Sequence, residues 1–242
     1  MSTASIDRRW LDRSWAMLTP MGRLLLNLHV LRQRWLWHWR NSGGDALKRA
    51  LDIVGSALFL IALSPLYAVI AILIRLEDGG PAIFAQTRVG RYGREFRMYK
   101  FRSMRPDAEA LLSQLLARNH HKEGVTFKIK DDPRLTRLGK WLRRVSFDEL
   151  PQVWNVLKGD MSLVGPRPPV PREVARYSLA DRRRLAVKPG LTCFWQIGGR
   201  SELDFSEQVK LDVRYIEARN LWTDLAILLK TLPAVAEGRG AC

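Results

Sequence analysis

Between Ile53 and Ile74 the chain carries no charged side chain. This apolar run of about 22 residues is long enough to cross a bilayer as a helix, so a purely soluble protein is not expected. Lys48 and Arg49 precede the run and Arg75 follows it. Both flanks are basic, and the positive-inside tendency draws both ends to the cytoplasm, which one straight span does not satisfy. Ser64 and Pro65 lie near the middle, where proline removes a backbone donor and crowds the preceding turn. The pattern predicts a re-entrant helix that enters one leaflet, kinks at Ser64-Pro65 and returns to the same face. A single kinked span is the alternative.

Before this run, residues 1–41 are rich in arginine (Arg8, Arg9, Arg13, Arg23, Arg32, Arg34, Arg40) and tryptophan (Trp10, Trp15, Trp35, Trp37, Trp39). Both types favour the headgroup zone, which suggests an amphipathic arm on an anionic bilayer surface; a partly disordered basic arm is the alternative. Leu24 to Val30 is broken by Asn27 and His29, and no small-residue cleavage site follows, which argues against a secretory signal. Ser42, Gly43 and Gly44 make a hinge. The expected division is 1–44 as the arm, 45–76 as the re-entrant helix and 77–242 as a cytosolic catalytic domain with C-terminal amphipathic helices. A net charge of +16 calls for polyanionic surroundings: nucleic acid, anionic lipid or phosphorylated substrates. The two cysteines, Cys193 and Cys242, are far apart and lack metal-ligand spacing, which fits a reducing cytoplasm.

The rest of the chain predicts an α+β fold, mostly helical with short strands. Glu95 to Phe101 alternates like a half-buried strand after turns at Gly90 and Gly93, placing Lys100 and Arg102 at its end as a candidate diphosphate clamp. Asp107 to Arg118 has helical spacing. His120 and His121 are adjacent and point apart, so they read as surface residues. Thr126 to Lys130 suggests a short strand, and Leu135 to Val145 a basic helix. Val153 to Leu157 gives a helix that stops at Gly159, Met161 to Val164 is short and apolar, and Leu191 to Ile197 is strand-like. Val209 to Ala218 and Leu221 to Val235 are helical, the latter with an apolar stripe of Trp222, Leu225, Leu228, Leu229 and Leu232 that is expected to be core, with an interfacial role as the alternative.

Chemistry concentrates at Asp148 and Glu149. Acid is scarce, at 24 residues against 40 Lys and Arg, and this neighbouring pair follows Lys140, Arg143 and Arg144. Ser146 and Glu149 also form a capping-box pattern, with Pro151 suited to a first helical turn. The two readings are compatible, because a helix N-terminus attracts anions and its field should keep Asp148 ionised, as a nucleophile requires. Further on, prolines on both sides of Arg167 restrict the backbone that carries it.

KRALDIVGSALFLIALSPL, QTRVGRYGREFRMYKFRSM, DDPRLTRLGKWLRRVSFDELPQVWNVLKGDMSLVGPRP and KPGLTCFWQIGGRS together resemble the bacterial sugar transferases known as monotopic phosphoglycosyl transferases. The resemblance covers residues 45 to 235 in order and is to the short-form members, leaving the arm outside. It implies a UDP-sugar and membrane polyprenyl phosphate as substrates, with Mg2+ as cofactor. Asp148 matches the family's nucleophile, expected to expel UMP and form a phosphosugar acyl phosphate from which polyprenyl phosphate takes the sugar phosphate. Glu149 matches the partner acid, expected to bind the metal with Asp148. Lys100, Arg102, Arg143 and Arg167 match positions expected to contact phosphate, and Gln196 and Arg200 match a segment expected to touch nucleotide or sugar. Ser64-Pro65 matches the break in the family's re-entrant helix. Cys193 departs from a usual glycine, which could narrow the local loop or alter sugar preference. The implied location is the cytoplasmic face of the bacterial inner membrane, at the first membrane step of exopolysaccharide, capsule or O-antigen synthesis. A homodimer is left open.

Rival classes are a membrane-tethered nucleic-acid binder, for which no helix-turn-helix, zinc-finger or ribonucleoprotein motif is present, and a non-catalytic scaffold of polysaccharide assembly, which leaves Asp148 and Glu149 unexplained. A nucleotide hydrolase is disfavoured because the chain has no GxxxxGK[ST] loop.

Overall fold

The computed structural model describes residue 21 and residues 44–108, 110–111, 132–198 and 203–237. The chain divides into Met1–Lys48 and Arg49–Cys242, and the contacts below belong to the second unit. Almost all of the N-terminal arm, His120, His121, the strand expected at 126–130, most of the helix expected at 107–118, Arg200 and Cys242 lie outside the described residues.

The apolar run forms two helices, α1 (Gly44–Ala62) and α2 (Ser64–Asp78), bent by 61°. No single described helix is long and apolar enough to cross a membrane, whereas the bent pair together meets that length and composition. The cause of the bend is local. A continuing helix would bond the Ile61 carbonyl to the N–H of residue 65, which proline lacks. Ser64 Oγ donates to that carbonyl at 2.9 Å instead. The break falls on Leu63 (φ −97°, ψ 6°), one residue before the expected Ser64-Pro65, because proline is accommodated in the first turn of the helix that follows.

Both limbs are fastened to the rest of the fold. On α1, Arg49 donates to the carbonyls of Val156 (2.6 Å) and Leu157 (2.7 Å), and buried Asp52 accepts from Leu163 N at 2.9 Å and Ser162 Oγ at 3.1 Å. On α2, Ile70 and Ile74 pack in a core with Ala82, Phe101 and Leu142, and Tyr67 Oη donates to the Leu150 carbonyl at 2.5 Å. The outward faces carry exposed Val54, Leu58, Ile61, Val69, Ile72 and Leu73.

Strands β1 (Ile83–Val89) and β2 (Glu95–Phe101) form an antiparallel hairpin with Phe84 opposite Lys100 and Arg88 opposite Phe96. The extent of β2 agrees with its alternation in sequence. Its outer edge is closed by a side chain. Asn155, fully buried on α4 (Gln152–Lys158), accepts from Tyr99 N at 3.0 Å and donates to the Arg97 carbonyl at 2.7 Å, standing in for a neighbouring strand. Helix α3 (Arg137–Arg144) precedes α4, with Thr136 capping its start. Helix α4 ends at Gly159, whose φ of 99° suits glycine.

Beyond α4, β3 (Ser162–Val164) pairs in parallel with β4 (Gly190–Thr192), and the connection between them includes the short helix α5 (Pro171–Val174) and a 3₁₀ segment, Asp181–Ala186. The strand-like reading of residues 191–197 is corrected: β4 stops at Thr192 and Phe194–Gly198 is a short helix, α6. Helices α7 (Phe205–Ala218) and α8 (Leu221–Glu237) follow. Tyr215 and Ile227 pack with Val164, while Trp222, Leu225 and Leu229 are exposed. The stripe expected to be core is therefore largely an outer face, because Tyr215 and Val164 meet the side of α8 that carries Asp224 and Ile227. The coarse architecture is α+β, mostly helical, with two two-stranded sheets among the described residues.

Candidate active site

Asp148 and Glu149 lie in a 3₁₀ turn, Phe147–Glu149, between α3 and α4. Ser146 before it adopts the left-handed conformation (φ 58°, ψ 20°), uncommon for a residue with a Cβ, and its side chain caps nothing. The capping-box reading is corrected: Pro151 stands before α4, and the acidic pair occupies a separate turn rather than the first turn of that helix. The pair is oriented by the turn and its cationic neighbours, without the help of a long helix dipole.

Lys100, on β2, reaches both carboxylates. Its Nζ is 2.6 Å from Glu149 Oε1 and 3.7 Å from Asp148 Oδ2. The two acids respond differently. Burial pushes the Asp148 carboxyl above its ordinary range; Lys100 and Arg143 draw it back down, while Glu149 adds to the rise. For Glu149, burial also raises the value, but Lys100 and Arg167 outweigh it and hold the group at about 2. A strongly ionised carboxylate thus sits beside one that is desolvated and more easily protonated, which differs from the expectation that a helix terminus keeps Asp148 ionised. Among groups whose environments separate their protonation behaviour, such neighbours are candidates for distinct chemical roles.

Glu149 and Lys100 line a cleft with an empty volume of about 230 Å³, together with Arg88, Gln152, Arg167 and Gln196. Asp148, 6% exposed, lies against this group through Lys100 and is not itself in the cleft lining. Arg167 projects, exposed, from a loop whose backbone is tied on both sides: Gly190 N donates to the Pro166 carbonyl and Val89 N to the Pro169 carbonyl, both at 2.9 Å. Glycine is required where the loop meets β4, since a Cβ on Gly190 would lie 2.0 Å from Gly165 N. The Arg167 guanidinium stands 5.8 Å from the ring centre of Trp195 on α6. Gln196, the next residue, accepts from the buried Cys193 thiol at 3.4 Å. Cys193 therefore touches the cleft wall from behind, and burial raises its thiol well above the ordinary value.

The remaining expected phosphate contacts are placed differently. Arg143 Nε donates to Ser103 Oγ at 3.0 Å, and its charge acts on Asp148. Arg102 is buried and paired with Asp78 at the end of α2, so it joins α2 to the segment that follows β2 and does not share a clamp with Lys100. Arg88, Gln152 and Asn155 were not singled out by sequence. Arg88 donates to Gln86 Oε1 and, at 2.9 Å, to the Pro168 carbonyl, bracing the Arg167 loop; burial and then Arg167 lower its value to about 10.

No cluster of three or more His, Cys, Asp or Glu suited to a metal occurs among the described residues. Two adjacent carboxylates nevertheless fit magnesium, which keeps several waters and takes one or two carboxylates together with substrate phosphates.

Residues 44–238 match the family model described as bacterial sugar transferase. Similar proteins include the galactosyl transferase CpsE of Streptococcus agalactiae serotype III, 53% identical over 195 residues that make up 80% of this chain and 43% of that protein. The undecaprenyl-phosphate galactose phosphotransferase of Salmonella typhimurium is 46% identical over 198 residues, 81% of this chain and 41% of its own. The exopolysaccharide production protein ExoY of Sinorhizobium fredii is 39% identical over 201 residues, 82% of this chain and 89% of its own. The chain thus spans less than half of the first two relatives and most of the third. With the matched segment running from α1 through α8 and enclosing the whole cleft, the chain belongs to the bacterial sugar transferase family.

Proposed function

We propose that the chain transfers a sugar 1-phosphate from a UDP-sugar to polyprenyl phosphate, releasing UMP, at the cytoplasmic face of a bacterial inner membrane. The observation that carries this reading is the cationic cleft whose Lys100 links Glu149 in the lining to buried Asp148 beside it, two residues of unlike protonation tendency. Relatives named for galactose, glucose and N-acetylgalactosamine phosphotransfer to undecaprenyl phosphate support the substrate class.

The Asp148 carboxylate attacks the phosphorus that bears the sugar. The P–O bond to UMP breaks, its electron pair leaves with UMP, and the sugar phosphate remains on Asp148 as an acyl phosphate. An oxygen of polyprenyl phosphate then attacks the same phosphorus, which regenerates the carboxylate and yields polyprenyl diphosphate sugar. Lys100 and Arg167 hold the diphosphate oxygens and stabilise charge as it develops. Asp148 and Glu149 would hold Mg2+, which offsets charge on the diphosphate and the departing nucleotide. Covalent storage suits the two substrates, since one is water-soluble and the other is anchored in lipid.

The exposed apolar faces of α1 and α2 support a re-entrant hairpin in one leaflet, with an anionic headgroup layer against the basic surface. The test is UMP release from UDP-galactose, UDP-glucose and UDP-N-acetylgalactosamine by the full chain in detergent, with polyprenyl phosphate and magnesium. With at least one donor, about one UMP per protein is expected without the lipid acceptor and repeated turnover only with it. Absence of release with all three, and of any lipid-linked sugar, overturns the reading.

A further inference from the structure

Gln152 opens α4, one helical turn beyond Asp148, and its side chain lines the cleft beside Lys100 and Glu149. It is only 3% exposed. Other buried amides in this fold are satisfied by protein: Asn155 bonds Tyr99 N and the Arg97 carbonyl, and Gln208 Nε2 donates to the Leu203 carbonyl at 2.9 Å. No protein group among the described residues bonds the Gln152 amide, and its polar atoms are not among the sealed-off ones that lack a partner, so they reach the cleft. The face of this amide that is not packed opens on the cleft, so its partner belongs to what the cleft binds.

The neighbours decide which part of a ligand that is. Arg88, the other buried side chain of the lining with N–H groups, is already engaged by Gln86 and the Pro168 carbonyl. Lys100 and Arg167 supply charge to a diphosphate, while Gln152 supplies neutral donors close to the acidic turn. We propose that the Gln152 side-chain NH2 donates to a non-bridging oxygen of the phosphoryl group that moves onto Asp148, making Gln152 a further catalytic residue. The contact fixes the phosphorus in line with the attacking carboxylate oxygen. This rests on the phosphosugar transfer proposed above.

The experiment compares wild type with Gln152→Met and Gln152→Glu, measuring thermal stability and single-turnover UMP release over a range of UDP-sugar concentrations without polyprenyl phosphate. Gln152→Met keeps the side chain's length and removes an amide that no protein group satisfies, so its Tm is expected to equal or exceed that of wild type. Its UMP release is expected to fall at least about tenfold with little change in donor KM. Gln152→Glu, which loses both N–H donors and adds negative charge, is expected to be slower still. A Gln152→Met protein that releases UMP at the wild-type rate, or that loses stability in proportion to activity, overturns the inference alone. Wild-type protein that releases no UMP from any donor overturns the proposed function as well.

Discussion

Lys100 Nζ donates to Glu149 Oε1 at 2.6 Å, joining the end of β2 to the acidic turn across 49 positions of sequence. The same ammonium lies 3.7 Å from Asp148, so one cation draws both carboxyl values down.

Replacing Lys100 by Met should therefore raise both carboxyl values. In the wild type, burial already holds Asp148 above its ordinary range, and attack requires the ionised form, so kcat/KM should fall as pH drops through a value higher than the usual aspartate figure of about 4. In Lys100→Met the acid limb should move to still higher pH. A limb that stays in place would separate Lys100 from the ionisation of the nucleophile.

Linkage gives Glu149 the opposite signature. Its folded value, about 2, is below that of an unfolded glutamate, so it stabilises the fold above about pH 4.3 and loses that contribution as pH falls towards 2. Glu149→Gln should flatten the acid end of the stability curve measured by denaturant unfolding, relative to wild type, while UMP release drops.

Asp148→Asn should abolish turnover and the phosphosugar adduct together. Mass spectrometry of wild type quenched with donor alone should find the peptide containing Asp148 heavier by one sugar phosphate. Near-normal turnover in the asparagine variant would remove Asp148 from the chemistry.

Arg167→Ala should lower the rate at least about tenfold, roughly 1.4 kcal/mol, if this guanidinium stabilises charge in the transition state. Since the loop is held by backbone bonds and by Arg88 rather than by the Arg167 side chain, Tm should hardly change. A rate equal to wild type would reduce Arg167 to a surface residue.

Asn155→Ala should act on stability first. It strips the partners from Tyr99 N and the Arg97 carbonyl at a part-buried strand edge, at a cost of about 2–4 kcal/mol for the two groups. Chemical denaturation with an unchanged m-value would measure it.

The parts of this arrangement visible in sequence were those with a period or an unusual composition. Alternation set the limits of β2, the proline gave the bend, and a neighbouring acid pair in a basic chain stood out as Asp148 and Glu149. What failed depended on partners distant in sequence. Ser146 looks like a cap, yet its backbone is left-handed, its side chain caps nothing and the acids fall in a 3₁₀ turn of their own before α4. The stripe on α8 could not reveal that Tyr215 and Val164 meet the neighbouring side, which carries Asp224 and Ile227. Arg88, Gln152 and Asn155 are single polar residues with no repeat, and their importance follows only from burial and from the groups they touch.

The double fastening of the bent helices has a practical meaning for anyone preparing this protein. Because Ile70 and Ile74 cover Phe101 and Leu142, while Arg49 and Asp52 grip α4 and β3, the greasy hairpin cannot be cut away as a disposable tether. A truncated protein starting after Asp78 would present raw interior to water and clump, so the bent pair is as much a part of the folded body as the strands it covers.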